Sequence, residues 1–341
     1  MANASGRVTI YEVADEARVA ISTVSRVLNG SPEVSDATRA RVQAAIEKLQ
    51  FQPQRIAKSL AKQATTSLAV ALPSATSLFY VEILKGVKDV LRDRDIDLLL
   101  CNLGSSDPEQ TLQRFIGRGA VGGLLLVSLP IDAGLGEQLR RMHAPVVLIG
   151  SQDPGFDSYW WDDEAGARIA TEHLLDLGHT RIGFVTSQAW SFAAEPRLRG
   201  YRTALDAAGV PFDPDLVAVG STTKHAGFSE EAGAEAMKAL MALDSPPTAV
   251  FSSSDVQAFG AWSYARDAGL HVPRDVSILG YDDLKLSRYL DLSSVDQSMQ
   301  DVGRQATERL LARMKERSDD RLNVEIEVEM KPRGSTGPAE G

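Results

Sequence analysis

From Ser67 onward the chain repeats one pattern, a short unbroken apolar run followed by a longer stretch with apolar residues at helical spacing. The runs are SLAVAL, DLLLCN, GLLLVS and PVVLIG, then RIGFVT, LVAVG, TAVFSS and VSILGY. Runs of this kind, bounded by turns, read as strands covered on both faces, the signature of parallel sheets. Eight such strands in two sets of four predict two doubly wound α/β lobes. The cleft between them is expected at the carboxyl ends of the strands, where open sheets bind small molecules.

The chain before Ser67 has a different period. In TIYEVADEARVA, Ile10, Val13, Ala14 and Ala17 share one helical face, and Thr9 stands as N-cap. In STVSRVLNG, Val24, Val27 and Leu28 form an apolar stripe while Ser22, Ser25, Arg26 and Asn29 form a polar one. Only Arg18 to Ala20 connect the two segments, and such a tight turn predicts a helix-turn-helix. That arrangement offers the N-terminal half of its second helix to the major groove of DNA, which gives the polar stripe a use beyond meeting water. SDATRARVQAAIEKLQF reads as a third helix, with Ser35 as cap and Val42, Ala45, Ile46 and Leu49 facing inward. QPQRIAKSLAKQ follows, with Pro53 at a first helical position and Ile56 paired with Leu60, too short to be stable alone. The expected organisation is a small all-α headpiece (residues 1–52), a conditional linker helix and linker (53–66) and a two-lobed core (67–341).

Composition adds limits. At 341 residues, 43% of them hydrophobic and 24% charged, the chain suits two or three globular domains. It has no apolar run long enough for a membrane span, and the N-terminus lacks the apolar core of a secretory signal, so the expected location is the cytoplasm. Cys101 is the only cysteine, which excludes an internal disulfide and a thiolate zinc site and suggests a core residue. The net charge of −10 is uneven: residues 1–62 hold nine Lys/Arg against six Asp/Glu, leaving 27 against 40 for the rest. A basic head on an acidic body fits polyanion binding by the head alone, because potentials are local and screened within about 10 Å.

Some apparent chemistry dissolves on reading. GRGAVG, residues 117 to 122, matches the dinucleotide fingerprint letter for letter. The fingerprint must follow a strand and open a helix, whereas here a helical stretch precedes and the strand GLLLV follows. It reads as a helix end and turn. The doublets Asp162-Asp163 and Asp282-Asp283 suggest paired carboxylates, but neighbours on extended chain point opposite ways, so each offers at most one group to a pocket. Asp163, just before EAGARIATEHLLDLGH, is expected to cap that helix. His143, His173, His179, His225 and His271 show no ligand spacing, and there is neither a G-x-S-x-G nor a P-loop. No metal, cofactor or catalytic group is expected.

In order along the chain, VTIYEVA, STVSRVLNG, VSDATRARV, IAKSL, EHLLDLGHTRIGFV, RLRGYRTAL, PPTAVFSSSD and VPRDVSILGYDD resemble the LacI/GalR family of bacterial transcription regulators. The resemblance implies a DNA-binding regulator, most often a repressor, whose periplasmic-binding-protein-like core senses a small molecule, usually a sugar or nucleobase. It also implies a homodimer, or a tetramer built from it, on pseudo-palindromic operator DNA. By motif position, Ile21, Ser22 and Arg26 would face base edges, with Arg26 able to donate twice to a guanine. Thr9, Thr23, Ser25, Asn29, Ser35 and Thr38 would meet phosphates. Leu60 matches the hinge leucine that wedges into the minor groove. Phe79, Tyr80, Asp162, Arg197, Ser254, Asp255 and Asp282 fall on or beside effector-pocket positions, and Arg beside carboxylates suits the vicinal hydroxyls of a polyol. A salt bridge or helix cap is the alternative role for each polar one. Four positions depart from the pattern: Arg18 replaces the turn glycine, Ala20 the Ser/Thr cap, Gln50 a helix-ending glycine, and Ser254 a common Asn. A sugar-binding protein without DNA activity, or a cytoplasmic α/β enzyme, would lack a use for the headpiece.

Overall fold

The structure is a computed structural model, and it describes residues 8–28, 31, 33–49, 51, 67–104, 107–117, 121–142, 144–316 and 320–339. Asn29, Gln50, the hinge segment with Leu60, His143 and residues 118–120 of the glycine-rich motif lie outside the described residues. The chain divides into two compact units, residues 1–65 and 66–341.

In the first unit, helix α1 (Ile10–Ala17) opens with a reciprocal capping box. The Glu12 amide donates to the Thr9 hydroxyl, and the Thr9 amide donates to the Glu12 carboxylate at 2.6 Å. Those hydrogen bonds hold the Glu12 carboxyl below its usual range. Arg18 then turns the chain in the left-handed region, φ 52° and ψ 52°, as its place in the turn requires. A side chain there costs about 1–2 kcal/mol that glycine would avoid. Helix α2 (Ile21–Leu28) starts from Ala20, whose carbonyl accepts from the Thr23 and Val24 amides; its methyl side chain can accept nothing. Helix α3 (Asp36–Leu49) begins at Ser35, whose hydroxyl accepts from the Thr38 amide. Val13, Ala14, Ala17, Val24, Val27, Val42 and Ala45 make the buried core, with Ile10, Ile46 and Leu49 packed at its edge.

The second unit contains two sheets. The first has the order β11-β5-β4-β3-β1-β2 and the second β12-β10-β9-β8-β6-β7. The eight apolar runs are β1 (Ser67–Leu72), β2 (Asp97–Asn102), β3 (Gly123–Val127) and β4 (Val146–Ile149) in the first. The second holds β6 (Ile182–Thr186), β7 (Val217–Val219), β8 (Ala249–Ser252) and β9 (Ser277–Asp282). Each sheet gains two strands that carry no such run: β5 (Asp157–Trp161) and β11 (Asn323–Ile326), and β10 (Ser293–Asp296) and β12 (Glu329–Lys331). All pairings are parallel except β10 with β12. DLLLCN departs from the expectation of cover on both faces, because β2 is an edge strand and its Leu98, Leu99 and Leu100 stay exposed.

The added strands reveal how the lobes are joined. The chain crosses between sheets three times, after β5, after β10 and between β11 and β12. The helix Met299–Lys315, which follows β10, packs back on the first lobe against the helix Leu78–Leu91. Gly303 permits this close approach, since a Cβ there would stand 2.2 Å from the Ile83 carbonyl oxygen. Within the second lobe, Gly200 does the same for the helices Asp163–Asp176 and Ala194–Ala207; its Cβ would meet the Glu164 carbonyl oxygen at 2.1 Å. Gly117 ends the helix Pro108–Ile116 before β3, so the glycine-rich motif follows a helix rather than a strand. Among the described residues no helix is long and apolar enough to cross a membrane.

Candidate functional site

On α2 the buried residues are Val24 and Val27, which turns the opposite face outward. Ile21, Ser22 and Arg26 are exposed on it, and Thr23 and Ser25 are half-buried beside them. An exposed isoleucine at 42% has no packing reason in the first unit. Arg26 lies 3.9 Å from the Glu33 carboxylate with both side chains largely in solvent, a pairing too weak to hold the guanidinium from another partner. Ser35 and Thr38 join their hydroxyls at 3.0 Å at the start of α3, and Thr9 sits at the start of α1, so both helix N-termini carry hydroxyl groups.

A cavity of about 370 Å³ opens between the lobes of the second unit. One wall is aromatic: Phe79 stands edge-on to Trp161, centroids 5.7 Å apart, and to Tyr80 at 5.1 Å. The polar groups gather at the buried end. Arg197 donates from Nε to Asp163 Oδ1 at 2.8 Å and from Nη1 to the Ser253 carbonyl, with its face over the Tyr281 ring at 3.9 Å. Asp282 ends β9 and accepts from Gln297 Nε2 at 2.7 Å. The Gln297 carbonyl accepts in turn from Trp161 Nε1 at 2.8 Å, so one residue ties the aromatic wall of the first lobe to the carboxylate of the second. Burial, reinforced by the charge of Asp255, pushes the Asp282 carboxyl well above its usual range, against the opposing pull of Arg197. Phe79, Tyr80, Arg197, Ser254 and Asp282 all line the cavity.

Two expected pocket residues do not line it. Asp162 caps the helix Asp163–Asp176, accepting from the Ala165 amide at 2.9 Å, and Asp163 faces the cavity. The roles expected of this doublet are therefore exchanged, because the helix starts one residue earlier than the sequence suggests. Asp255 lies beneath the wall, where it accepts from the Leu284 amide and the hydroxyls of Ser287 and Ser294. It fastens the start of its helix to the turn after β9, and burial pushes it up to about 6 despite those three donors. Ser254 does both jobs, capping that helix through the Gln257 amide while lining the cavity. In the second doublet also only one carboxylate reaches the cavity, with Asp283 turned away to Arg333 at 2.6 Å, but the cause is a turn at the strand end, φ 123° at Asp282 and 49° at Asp283, rather than the pleat.

Gln297, Trp190, Phe192 and Phe228 line the cavity without having been foreseen. The one available signal was Trp190 and Phe192 within SQAWSF, two large apolar residues in a stretch with no helical or strand period. His179, by contrast, is a core residue bonded to Thr248, Ser277 and the Gly337 carbonyl. Cys101 is buried. Among the described residues no three His, Cys, Asp or Glu side chains gather to hold a metal.

A helix-turn-helix unit joined to a two-lobed, ligand-sized cleft defines a DNA-binding regulator with a sensing core. Residues 9–54 match the bacterial regulatory proteins of the lacI family, and residues 171–336 match the periplasmic binding protein-like domain. The chain is 33% identical over 340 residues to catabolite control protein A of Priestia megaterium, covering 96% of this chain and 99% of that protein. It is similar to the solved complex of the transcriptional regulator CelR with cellobiose, with TM-score 0.69, 31% identity and 96% and 100% of the two chains covered. It is also similar to the lac repressor dimer bound to operator and the anti-inducer ONPF, with TM-score 0.78, 26% identity and 97% and 99% covered. The chain belongs to the LacI family of bacterial regulatory proteins. It is a DNA-binding transcriptional regulator and not an enzyme.

Proposed function

We propose that this protein is a cytoplasmic repressor whose affinity for a pseudo-palindromic operator is controlled by a sugar bound between the lobes of the core. The observation that carries the sugar reading is the composition of the cleft, in which the Arg197–Asp163 pair and the Gln297–Asp282 pair face an aromatic wall of Phe79 and Trp161. Charged donors and acceptors in one cluster grip neighbouring hydroxyls, and an aromatic face covers the apolar side of a sugar ring. The bound sugars in solved relatives, cellobiose among them, agree with this.

On DNA, Ile21, Ser22 and Arg26 read base edges, and Thr9, Thr23, Ser25, Ser35 and Thr38 meet phosphates. Asn29 as a further phosphate contact and Leu60 as the minor-groove wedge complete the proposed set, though both lie outside the described residues. The protein acts as a homodimer. Apolar side chains are exposed on the edge strand β2, Leu100 at 49%, and around the helix Lys285–Tyr289, Tyr289 at 76%. A second copy related by a two-fold axis would cover such faces reciprocally and present two headpieces to the two half-sites.

Selection of binders from random duplex DNA, followed by calorimetry with sugars in the presence and absence of the recovered site, tests the reading. The expected outcome is a symmetric motif whose affinity shifts when sugar binds. Recovery of no symmetric motif contradicts the operator reading, and indifference of DNA affinity to every bound sugar contradicts the control by ligand.

A further inference from the structure

Two aromatic side chains at the mouth of the cleft have no packing explanation. Trp190 (56% exposed) and Phe192 (41%) line the cavity from the loop between β6 and the helix Ala194–Ala207. That loop is firmly held. The Gln188 amide donates to the Ala226 carbonyl at 2.8 Å, Gln188 Nε2 donates to the Gly220 and Thr222 carbonyls, and the Ser191 amide donates back to Gln188. These bonds fix the loop that carries the two large rings and leave the ring surfaces open to water, an arrangement that costs free energy unless something covers them.

The rest of the cavity differs in character. Its polar cluster is buried: Arg197 is 6% exposed, Asp282 4% and Gln297 1%. The inner aromatic wall is also largely shielded, with Trp161 at 8%. There are therefore two aromatic platforms, one buried next to the hydrogen-bonding cluster and one exposed at the rim. The volume, about 370 Å³, is more than one hexose ring fills.

We propose that the effector is a di- or oligosaccharide, with its inner ring bonded by Arg197, Asp163, Asp282 and Gln297 and its outer ring stacked on Trp190 and Phe192. This rests on the reading of the cleft as a sugar site. An inner ring loses its water and needs each hydroxyl matched by a polar group, which the buried end supplies. An outer ring keeps water on one side, so it needs only an aromatic surface for its face of C–H groups, whose positive edges meet the negative ring face. A single sugar ring would satisfy the inner end and leave the rim platform unused.

The test is calorimetry on the full-length protein with glucose, galactose, mannose and ribose, and with maltose, cellobiose, lactose, sucrose and cellotriose. At least one disaccharide is expected to bind about tenfold more tightly than either of its component sugars. Trp190→Ala is expected to remove that gain and leave monosaccharide affinity within about twofold, while Trp190→Phe keeps most of it. Because Trp190 is exposed, the melting temperature without ligand should not move. A monosaccharide that binds as tightly as every disaccharide overturns the proposal and leaves the sugar reading standing, as does unaltered disaccharide affinity in Trp190→Ala. Failure of every saccharide to bind overturns both.

Discussion

Arg197 and Asp163 meet through one carboxylate oxygen, which takes Nε at 2.8 Å and Nη2 at 2.7 Å while the guanidinium face lies on Tyr281. The pair joins two helices and the cavity wall, so structure and sensing are not separable there. Removing one member of a buried ion pair leaves the other uncompensated, and Arg197→Ala is expected to lose about 3–5 kcal/mol of folding stability. Sugar affinity should fall by about tenfold or more in the same variant. Arg197→Lys retains the charge without the fork or the planar stack, so its stability loss should be smaller than its affinity loss. Urea denaturation beside calorimetry measures both, and an alanine variant as stable as the parent would contradict the structural half.

Asp255 and Asp282 share a second consequence of burial. Both carboxyls titrate above their ordinary range in the folded protein, so the folded state holds protons that the unfolded chain has released. Stability without ligand is therefore expected to decline as pH rises from about 4 through about 6, the window set by Asp255 between its unfolded value of 3.8 and its folded value of about 6. Ionisation of Asp282, whose carboxyl burial also raises, adds to the decline. Asp282→Asn preserves the acceptor for Gln297 and cannot ionise, so it should flatten the profile and raise the melting temperature at pH 8. Denaturation across pH 4 to pH 8 decides this, and a parallel profile in parent and variant would count against it.

Arg26 is the one charged residue of α2 and lies exposed on its outward face. Arg26→Ala is expected to cost about 1–3 kcal/mol of operator binding and to relax preference at one base pair in each half-site. Loss of affinity that is uniform across all site variants would instead make Arg26 a phosphate contact, which shows as a shallower salt dependence.

The left-handed backbone at Arg18 offers a gain rather than a loss. Arg18→Gly is expected to stabilise the headpiece by about 1 kcal/mol, because glycine carries no Cβ to strain at φ 52°. Hydrogen exchange of the α1 and α2 amides in the full chain should slow accordingly, and faster exchange would show that the turn gains more from the arginine than it loses.

If the exposed leucines of β2 and the Tyr289 face meet a second copy, Leu99→Asp and Tyr289→Arg should shift the protein from dimer to monomer in sedimentation. Operator affinity should fall with it, since one headpiece holds one half-site. A monomeric parent protein removes the premise.

The apolar runs placed eight strands and the change of period placed the headpiece, because burial on two faces and burial on one stripe each impose a pattern that neighbouring residues must obey. The same local logic exposed Arg26 and dismissed the glycine-rich motif, whose order against strand and helix is written in the chain. It could not find β5, β10, β11 and β12. β11 and β12 lie at sheet edges, are short, carry polar residues and pair with strands remote in sequence, while β5 (DSYWW) and β10 (SSVD) carry polar residues that break the apolar run. Nor could it settle which aspartate enters the cleft. A helix start displaced by one residue exchanged Asp162 with Asp163, and Asp255 was drawn beneath the wall by three donors from a segment about thirty residues away. Side-chain direction changes with each residue of phase, and a buried carboxylate goes wherever the tertiary fold has gathered the donors to meet it.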